Sequence, residues 1–426
     1  MSKPPAITQK VAIRAVLCLF LLALLLAGYQ CALHYKDPGE LSVYNSLGMI
    51  LAVRSRTEGS QVVLIKPDGT ILESPKYPAG KTDRDAVWRP DGNTVLFSSD
   101  RDGDVFNMYR WNLMTNAVER RSFGTRSRLA PYFSPDDKNS ALIVAGGSVQ
   151  EFTAADGSSL QVLPPIPRGA SENKSEGEGS GSGAQFDSAY QGLGSSFRIA
   201  KWGKDKDWVI AVMRGEENEV LILQSLTQNA PPIPVISAHR IDFDVDPRSG
   251  GVWFTAQGLT MNMPDAHNIS KEEFQAAQRS RAALLANPNR IGFVDPATLG
   301  SRESAHRSPW LVSGGKGFAF GTPAISPDGS TLLVVGGAYT EGVGLTPNGL
   351  FSFSVSGSTT SAPTVIVKGE VLDPAWSPSG DRICYVRRVG NERAVCTNAA
   401  NGGDEKVLTQ GKGDFSSPLF SPQTKK

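Results

Sequence analysis

One short pattern returns along the chain and decides what it can fold into: an aromatic or apolar residue, then Xaa-Pro-Asp-Gly or a close variant, then an apolar run. Its clearest copy is Asp85 to Asp104, DAVWRPDGNTVLFSSDRDGD. Proline fixes φ, aspartate bonds its own backbone two residues on, and glycine supplies a positive φ, so the pattern specifies a tight reversal between two strands. A second turn, Asp100 to Asp104, follows the apolar run VLFSS. A chain that repeats such a unit is committed to many short antiparallel strands.

Taken in order, the copies begin with MILAVRS and QVVLIK before Pro67-Asp68-Gly69, then Trp88 to Gly92, then Tyr132 to Asp137. A degenerate fourth copy, RIAKWGKDKDWVIAVM, keeps Trp202 but lacks the proline. IDFDVDPRSGGVWFTA centres on Pro247, Ala324 to Gly329 and Trp376 to Gly380 follow, and PLFSP at Pro418 to Pro422 ends the series. Pro90 and Pro135 are 45 residues apart, Pro327 and Pro378 are 51 apart, and Pro378 and Pro422 are 44 apart. Spacing of about 40 to 45 residues with four short strands per unit predicts the blades of a β-propeller. The 44 glycines and 28 prolines agree with an all-β chain rich in turns.

These units resemble the WD-like Pro-Asp repeats of the TolB-type propeller superfamily, in which W-S-P-D-G, an apolar strand and S-D-R-D-G follow one another. Trp88 to Gly103 matches that pattern most fully, and Ile325 to Gly329 and Trp376 to Gly380 match its first half. The resemblance covers residues from about 46 to 426 and implies a propeller without the extra α/β domain that precedes the TolB ring. It does not carry the Tol-Pal function with it.

The final PLFSP reads as an innermost strand lacking partners, and the stretch from Leu47 as a blade lacking its innermost strand. Joined, they complete one blade and remove two exposed sheet edges. The count is then seven blades; six or eight follow if the degenerate copy is assigned differently. Three segments interrupt the period: the Gly/Ser/Glu-rich stretch 169–196, residues 261–290, and Tyr339 to Asn348. Within the second, Ser270 to Glu273 is a helix capping box, followed at helical spacing by Phe274, Ala277, Arg281, Leu284 and Leu285. In a four-stranded meander all three insertions emerge on one face. That face is the expected partner-binding surface, with Phe186, Tyr190, Phe274, Arg281 and Leu284 as candidate contacts. The competing reading is that they are surface insertions which loops tolerate at little cost.

Ahead of the repeats, Ala15 to Leu33 are 19 consecutive uncharged residues preceded by Lys3, Lys10 and Arg14. At about 1.5 Å per residue this nearly spans a hydrocarbon core of roughly 30 Å, and the positive flank keeps the N-terminus in the cytoplasm. The expected organisation is a cytoplasmic segment 1–14, a transmembrane anchor 15–33, a linker 34–45 and an exported propeller 46–426. A cleaved signal peptide and a lipoprotein signal at Cys31 compete with it, but the small-residue cleavage pattern is poor and Gln30 precedes the cysteine.

Chemistry is sparse. Asp100, Asp102 and Asp104 have the opening spacing of a calcium loop but lack the late glutamate. The four histidines, His34, His239, His267 and His306, form no zinc motif, and no C-x-x-C or G-x-S-x-G occurs, so neither a metal nor a cofactor is expected. Cys384 and Cys396 flank Gly390 symmetrically, which places them opposite one another in a hairpin as a candidate disulfide. Trp88, Trp202, Trp253 and Trp376 fall at strand positions and read as core. With 43 basic and 42 acidic residues and no basic aromatic block, nucleic acid is not a partner. The functional expectation is a non-enzymatic, membrane-anchored propeller on the periplasmic side of an inner membrane, binding an envelope protein or peptide. The alternative is an enzyme, or a small-ligand or carbohydrate binder, that uses the central channel.

Overall fold

The computed structural model describes residues 46–134, 139–144, 149–153, 159–163, 193–204, 207–215, 218–227, 233–259, 286–296, 310–356 and 359–422. The anchor and linker at 1–45, most of 169–196 and of 261–290, and with them Phe186, Tyr190, Phe274, Arg281 and Leu284, lie outside the described residues. Among the described residues no helix is long and apolar enough to cross a membrane. Two units are distinguished, one of Met1–Asn45 with Leu113–Asn116 and one of the remaining chain, and every named strand belongs to the second.

The named elements of that second unit are all β-strands, and the sheets are the antiparallel meanders expected of a propeller. Asp83–Trp88, Thr94–Ser99, Asn107–Asn112 and Ala117–Arg120 pair in chain order. Arg128–Phe133 to Ser159–Leu163 and Val371–Trp376 to Lys406–Val407 do the same. The sheet that starts at Phe318–Ile325 continues through Thr331–Thr340 and Gly344–Ser356 to Thr364–Lys368. In a composite sheet, Phe415–Phe420 pairs with Ile50–Ser55, which continues into Ser60–Ile65 and Ile71–Glu73. This is the closure expected from the two incomplete ends of the repeat. The last sheet has seven strands because Ile233–Val245 is shared: its first half pairs with Glu219–Ser225 and its second half with Val252–Leu259.

Central strands such as Thr94–Ser99 and Val252–Leu259 are buried at every position. Each has a neighbouring sheet on both faces, which is why these stretches read as continuous apolar runs rather than alternating ones. The turns behave as their sequence demands. Gly92 and Gly329 have φ of 68° and 65° and each donates its N–H to the carbonyl three residues back, while Asp91 and Asp328 accept from the N–H of Asn93 and Ser330.

Two expectations need correction. Tyr339 to Asn348 is not an inserted loop but the end of one long hairpin, in which Thr331–Thr340 and Gly344–Ser356 stay paired out to Thr340 opposite Gly344. Cys384 and Cys396 are free. Their hairpin turns on two residues, Gly390 and Asn391, so Val389 faces Glu392 and the register sets Cys384 opposite Thr397 and Cys396 opposite Tyr385. A register one residue away from the symmetric one sends the two thiols to opposite faces of the sheet. Cys384 packs with Ile50 and Val63, whereas Cys396 packs with Leu333 and Val335.

The second turn of the repeat also turns out to be architecture. Asp100 accepts the N–H of Thr82 at 2.6 Å and Asp102 accepts the Tyr109 hydroxyl at 2.7 Å. Between them Arg101 turns inward, lies against the rings of Phe97 and Tyr109, and bonds both carboxylate oxygens of fully buried Asp83 at 2.9 Å. Asp83 in turn accepts the N–H of Val62 and the hydroxyl of Ser74 from the composite sheet. This pair therefore joins two sheets. Arg101→Met is expected to cost about 3–5 kcal/mol because it strands a buried charge, and Asp83→Asn in the same chain is expected to return a good part of that. Urea unfolding of the two variants tests this; equal loss in both would mean that the pair's charge is immaterial.

Candidate functional site

The innermost strands carry an irregularity that the sequence does not announce. Asp85, Ala130, Thr322, Asp373 and Ser417 all adopt φ between 42° and 53°, a region that costs a side-chain-bearing residue roughly 1–2 kcal/mol. Each sits where the register of its strand slips against the next one out. Such bulges take backbone N–H groups out of the ladder.

Carboxylates from neighbouring strands take up those groups. Asp85 accepts the N–H of Ala130 at 3.1 Å, Asp373 that of Ser417 at 2.9 Å, and Asp242 that of Thr322 at 3.5 Å. Asp244 accepts the N–H of Ile325 and the ammonium of Lys201, both at 3.1 Å. Arg198 bonds Glu219 with two nitrogens, donates to the carbonyl of Ile241 and lies 3.2 Å from Asp242. The indole N–H groups of Trp88 and Trp376 reach the carbonyls of Leu419 and Ala324, each on the inner strand of the preceding sheet, at 3.0 Å. Tyr132 and Trp202 meet ring to ring at 6.3 Å. The inner strands are thus stapled around a closed circuit, and the tryptophans read as core are partly its staples.

Two charges in this wall have shifted proton affinities. Burial works against the ammonium of Lys201, but Asp244 outweighs it, and the net shift is upward. Asp373 moves up as well: burial raises it, the Ser417 N–H partly offsets this, and the like charge of Asp242 adds to the rise.

At the end of the circuit where the inner strands begin, a cavity of about 410 Å³ opens beside Asp242. His239 and Arg240 are exposed there, Gln257 and Thr322 line the floor, and Tyr339, Leu345 and Pro347 come from the long hairpin. Arg240 uses its Nε on Asp242 at 3.3 Å, and the hydroxyl oxygen of Thr322 is buried without a partner. Gln257 donates to the carbonyl of Phe320. Gly258, at φ 62°, leaves the space that His239 and the Tyr339 hydroxyl occupy; a methyl group there would collide with both. Val343 at the hairpin tip is 78% exposed.

None of these mouth residues was named as a contact from the sequence, although Tyr339, Val343, Leu345 and Pro347 belong to a segment expected on the partner-binding face. A usable signal was present: Arg240, Asp242 and Asp244 alternate with Ile241, Phe243 and Val245 in one strand, which places three charges on one face of the sheet. Among the described residues no group of three or more His, Cys, Asp or Glu side chains is placed to hold a metal.

No family model matches the sequence, and no curated protein is significantly similar to it. Solved structures are similar in fold. An oligogalacturonate lyase in complex with manganese gives a TM-score of 0.51 at 12% identity, over 85% of this chain and 85% of that one. Oligogalacturonate lyase from Vibrio parahaemolyticus gives 0.51 at 13% identity, over 88% and 91%. TolB from Acinetobacter baumannii gives 0.43 at 12% identity, over 87% and 82%.

Asp373 yields a prediction about pH. Its carboxyl holds its proton more tightly in the folded chain than in the unfolded one, so ionisation at neutral pH works against folding. Asp373→Asn keeps an acceptor for Ser417 and is expected to raise the melting temperature at pH 7. The gain should vanish below about pH 3.9, where both states are protonated. Thermal melts of the two chains at both pH values check it, and a destabilised variant at pH 7 would count against the shift.

Proposed function

We propose that this TolB-like β-propeller is a non-enzymatic scaffold, anchored in the inner membrane by residues 15–33 and exported to the periplasmic side, which holds a segment of another envelope protein at its channel mouth. In this reading the ring has seven blades: the four meanders, the composite sheet, and two from the seven-stranded sheet that divides within Ile233–Val245.

The contrast between wall and mouth carries the reading. Along the wall, Asp85, Asp242, Asp244 and Asp373 are occupied by backbone N–H groups or cations of neighbouring strands, which leaves little to act as base or nucleophile. At the mouth, His239, Arg240 and Tyr339 stand beside the apolar surfaces of Leu345, Pro347 and Leu372. Mixed polar and apolar lining at the rim of a rigid ring suits an extended peptide with an anionic or hydrogen-bonding side chain. A second reading, a small anionic or carbohydrate ligand inside the channel, is favoured by the raised proton affinity of Asp373 near Asp242.

A photo-reactive residue placed at Val343 in the full chain, irradiated in intact membranes, is expected to give a discrete protein adduct that weakens several-fold on Arg240→Gln. The same probe at Asn93, on the turns at the other end of the inner strands, should give none. Equal adducts at the two positions, or none at either, would remove the mouth as the partner site. Loss of the Val343 adduct on adding a soluble uronic acid would shift weight to the small-ligand reading.

A further inference from the structure

Away from the channel, the connection between Ala117–Arg120 and Arg128–Phe133 concentrates one sign of charge around an exposed ring. Its sequence from Arg120 to Arg128 is RRSFGTRSR. Phe123 is 69% exposed, and the Arg120 guanidinium lies 4.7 Å from the centre of its ring. On the other side, the Arg128 guanidinium lies over Gly124, which has no side chain to block it. Arg126 is exposed between them.

The bonds these arginines make are all to carbonyls. Arg120 donates to the carbonyl of Ser122 at 2.9 Å and Arg128 to that of Arg126 at 3.0 Å, and the Nε of Arg128 is buried with no partner. Among the described residues no carboxylate pairs with Arg120, Arg126 or Arg128; the nearest one in sequence, Glu119, is bonded to Arg110 at 2.6 Å. Burial and the like charge of Arg120 both loosen the proton on Arg128, so the two cations are close enough to repel each other. Holding like charges together is unfavourable unless an anion is brought between them.

The loop is also fixed at both ends. Arg121 and Arg128 donate their N–H groups to the carbonyls of Met108 and Phe106 at 2.8 Å. The side chains of Ser122 and Ser127 accept the N–H groups of Met108 and Phe106 at 2.8 and 3.2 Å. The guanidiniums therefore project from a held base, and little freedom is lost when they engage a ligand.

We infer that Arg120, Phe123, Arg126 and Arg128 form a docking surface for an acidic segment of a protein partner, with the aromatic ring as its apolar anchor and the guanidiniums taking carboxylates. Arginine and aromatic residues are the side chains that most often carry binding energy at protein interfaces, and the planar guanidinium fork matches a carboxylate. One exposed ring and three cations are a meagre hold on a bilayer, which usually needs an acyl chain or an amphipathic helix as well. The surface stands whether or not the mouth cavity binds anything.

The test uses the full-length chain in nanodiscs of phosphatidylcholine and a fluorescein-labelled poly-glutamate peptide, followed by anisotropy across a salt series. Binding that weakens with salt is expected, together with a loss of about tenfold or more in Arg120→Gln/Arg128→Gln, since removing one side of a close charge pair usually costs at least that much. Phe123→Ala and Arg126→Gln, both at exposed positions, cover the case in which the double variant folds poorly. Lys316→Gln/Lys368→Gln removes the same charge from exposed positions elsewhere and should bind like the parent. Equal loss in the lysine and arginine variants, or no binding at all, would overturn the assignment. So would Arg120-dependent co-sedimentation with phosphatidylglycerol vesicles by a chain that ignores the peptide.

Discussion

The pairing of Phe415–Phe420 with Ile50–Ser55 is the constraint on which the other contacts depend. Those two strands come from opposite ends of the repeat, and no local preference brings them together. Until they pair, the composite sheet lacks its inner strand, Trp88 lacks the carbonyl of Leu419, and Asp373 lacks the N–H of Ser417. Joining distant segments costs loop entropy that grows only slowly with length, so one strand pairing can hold a ring of this size. The return is the removal of two free edges that would otherwise invite another chain to add to the sheet.

Closure also bears on why aspartates recur along the inner strands. Five inner strands bulge, and at Ala130, Thr322 and Ser417 the bulge leaves an N–H group that a neighbouring strand's carboxylate accepts. A nearby aspartate is an economical answer, because a carboxylate accepts strongly and tolerates imperfect angles. One of these carboxylates, Asp373, holds its proton more tightly, chiefly because it is buried and in lesser part because Asp242 is near. Along the wall these side chains are committed to neighbouring strands, whereas beside the cavity the Thr322 hydroxyl is buried without a partner.

Much of the fold was legible because its turns are local chemistry. Arg89 to Asn93 and Ser326 to Ser330 contain the groups that make their reversals, so the spacing of their Pro-Asp-Gly cores reveals the repeat directly. The final PLFSP was legible for a different reason: a lone inner strand has only one place to go. What stayed hidden depends on partners far away in sequence. Ala130 and Ser417 give no hint of a left-handed backbone, because the aspartates that hold them there belong to other sheets. Arg101 looks like a surface turn residue until Asp83 and the rings of Phe97 and Tyr109 are placed around it. The symmetry of Cys384 and Cys396 about Gly390 misled by a single position, since a hairpin turning on two residues pairs an even-numbered strand position with an odd one.

The long strand Ile233–Val245 has a mechanical consequence. Elsewhere among the described residues, no single strand is laddered into two neighbouring meanders in this way. Across this one seam the backbone runs unbroken from the outer edge of one meander to the inner edge of the next, with ladder bonds on both halves. Under tension or partial unfolding the two halves of the seven-stranded sheet would travel as a single plate.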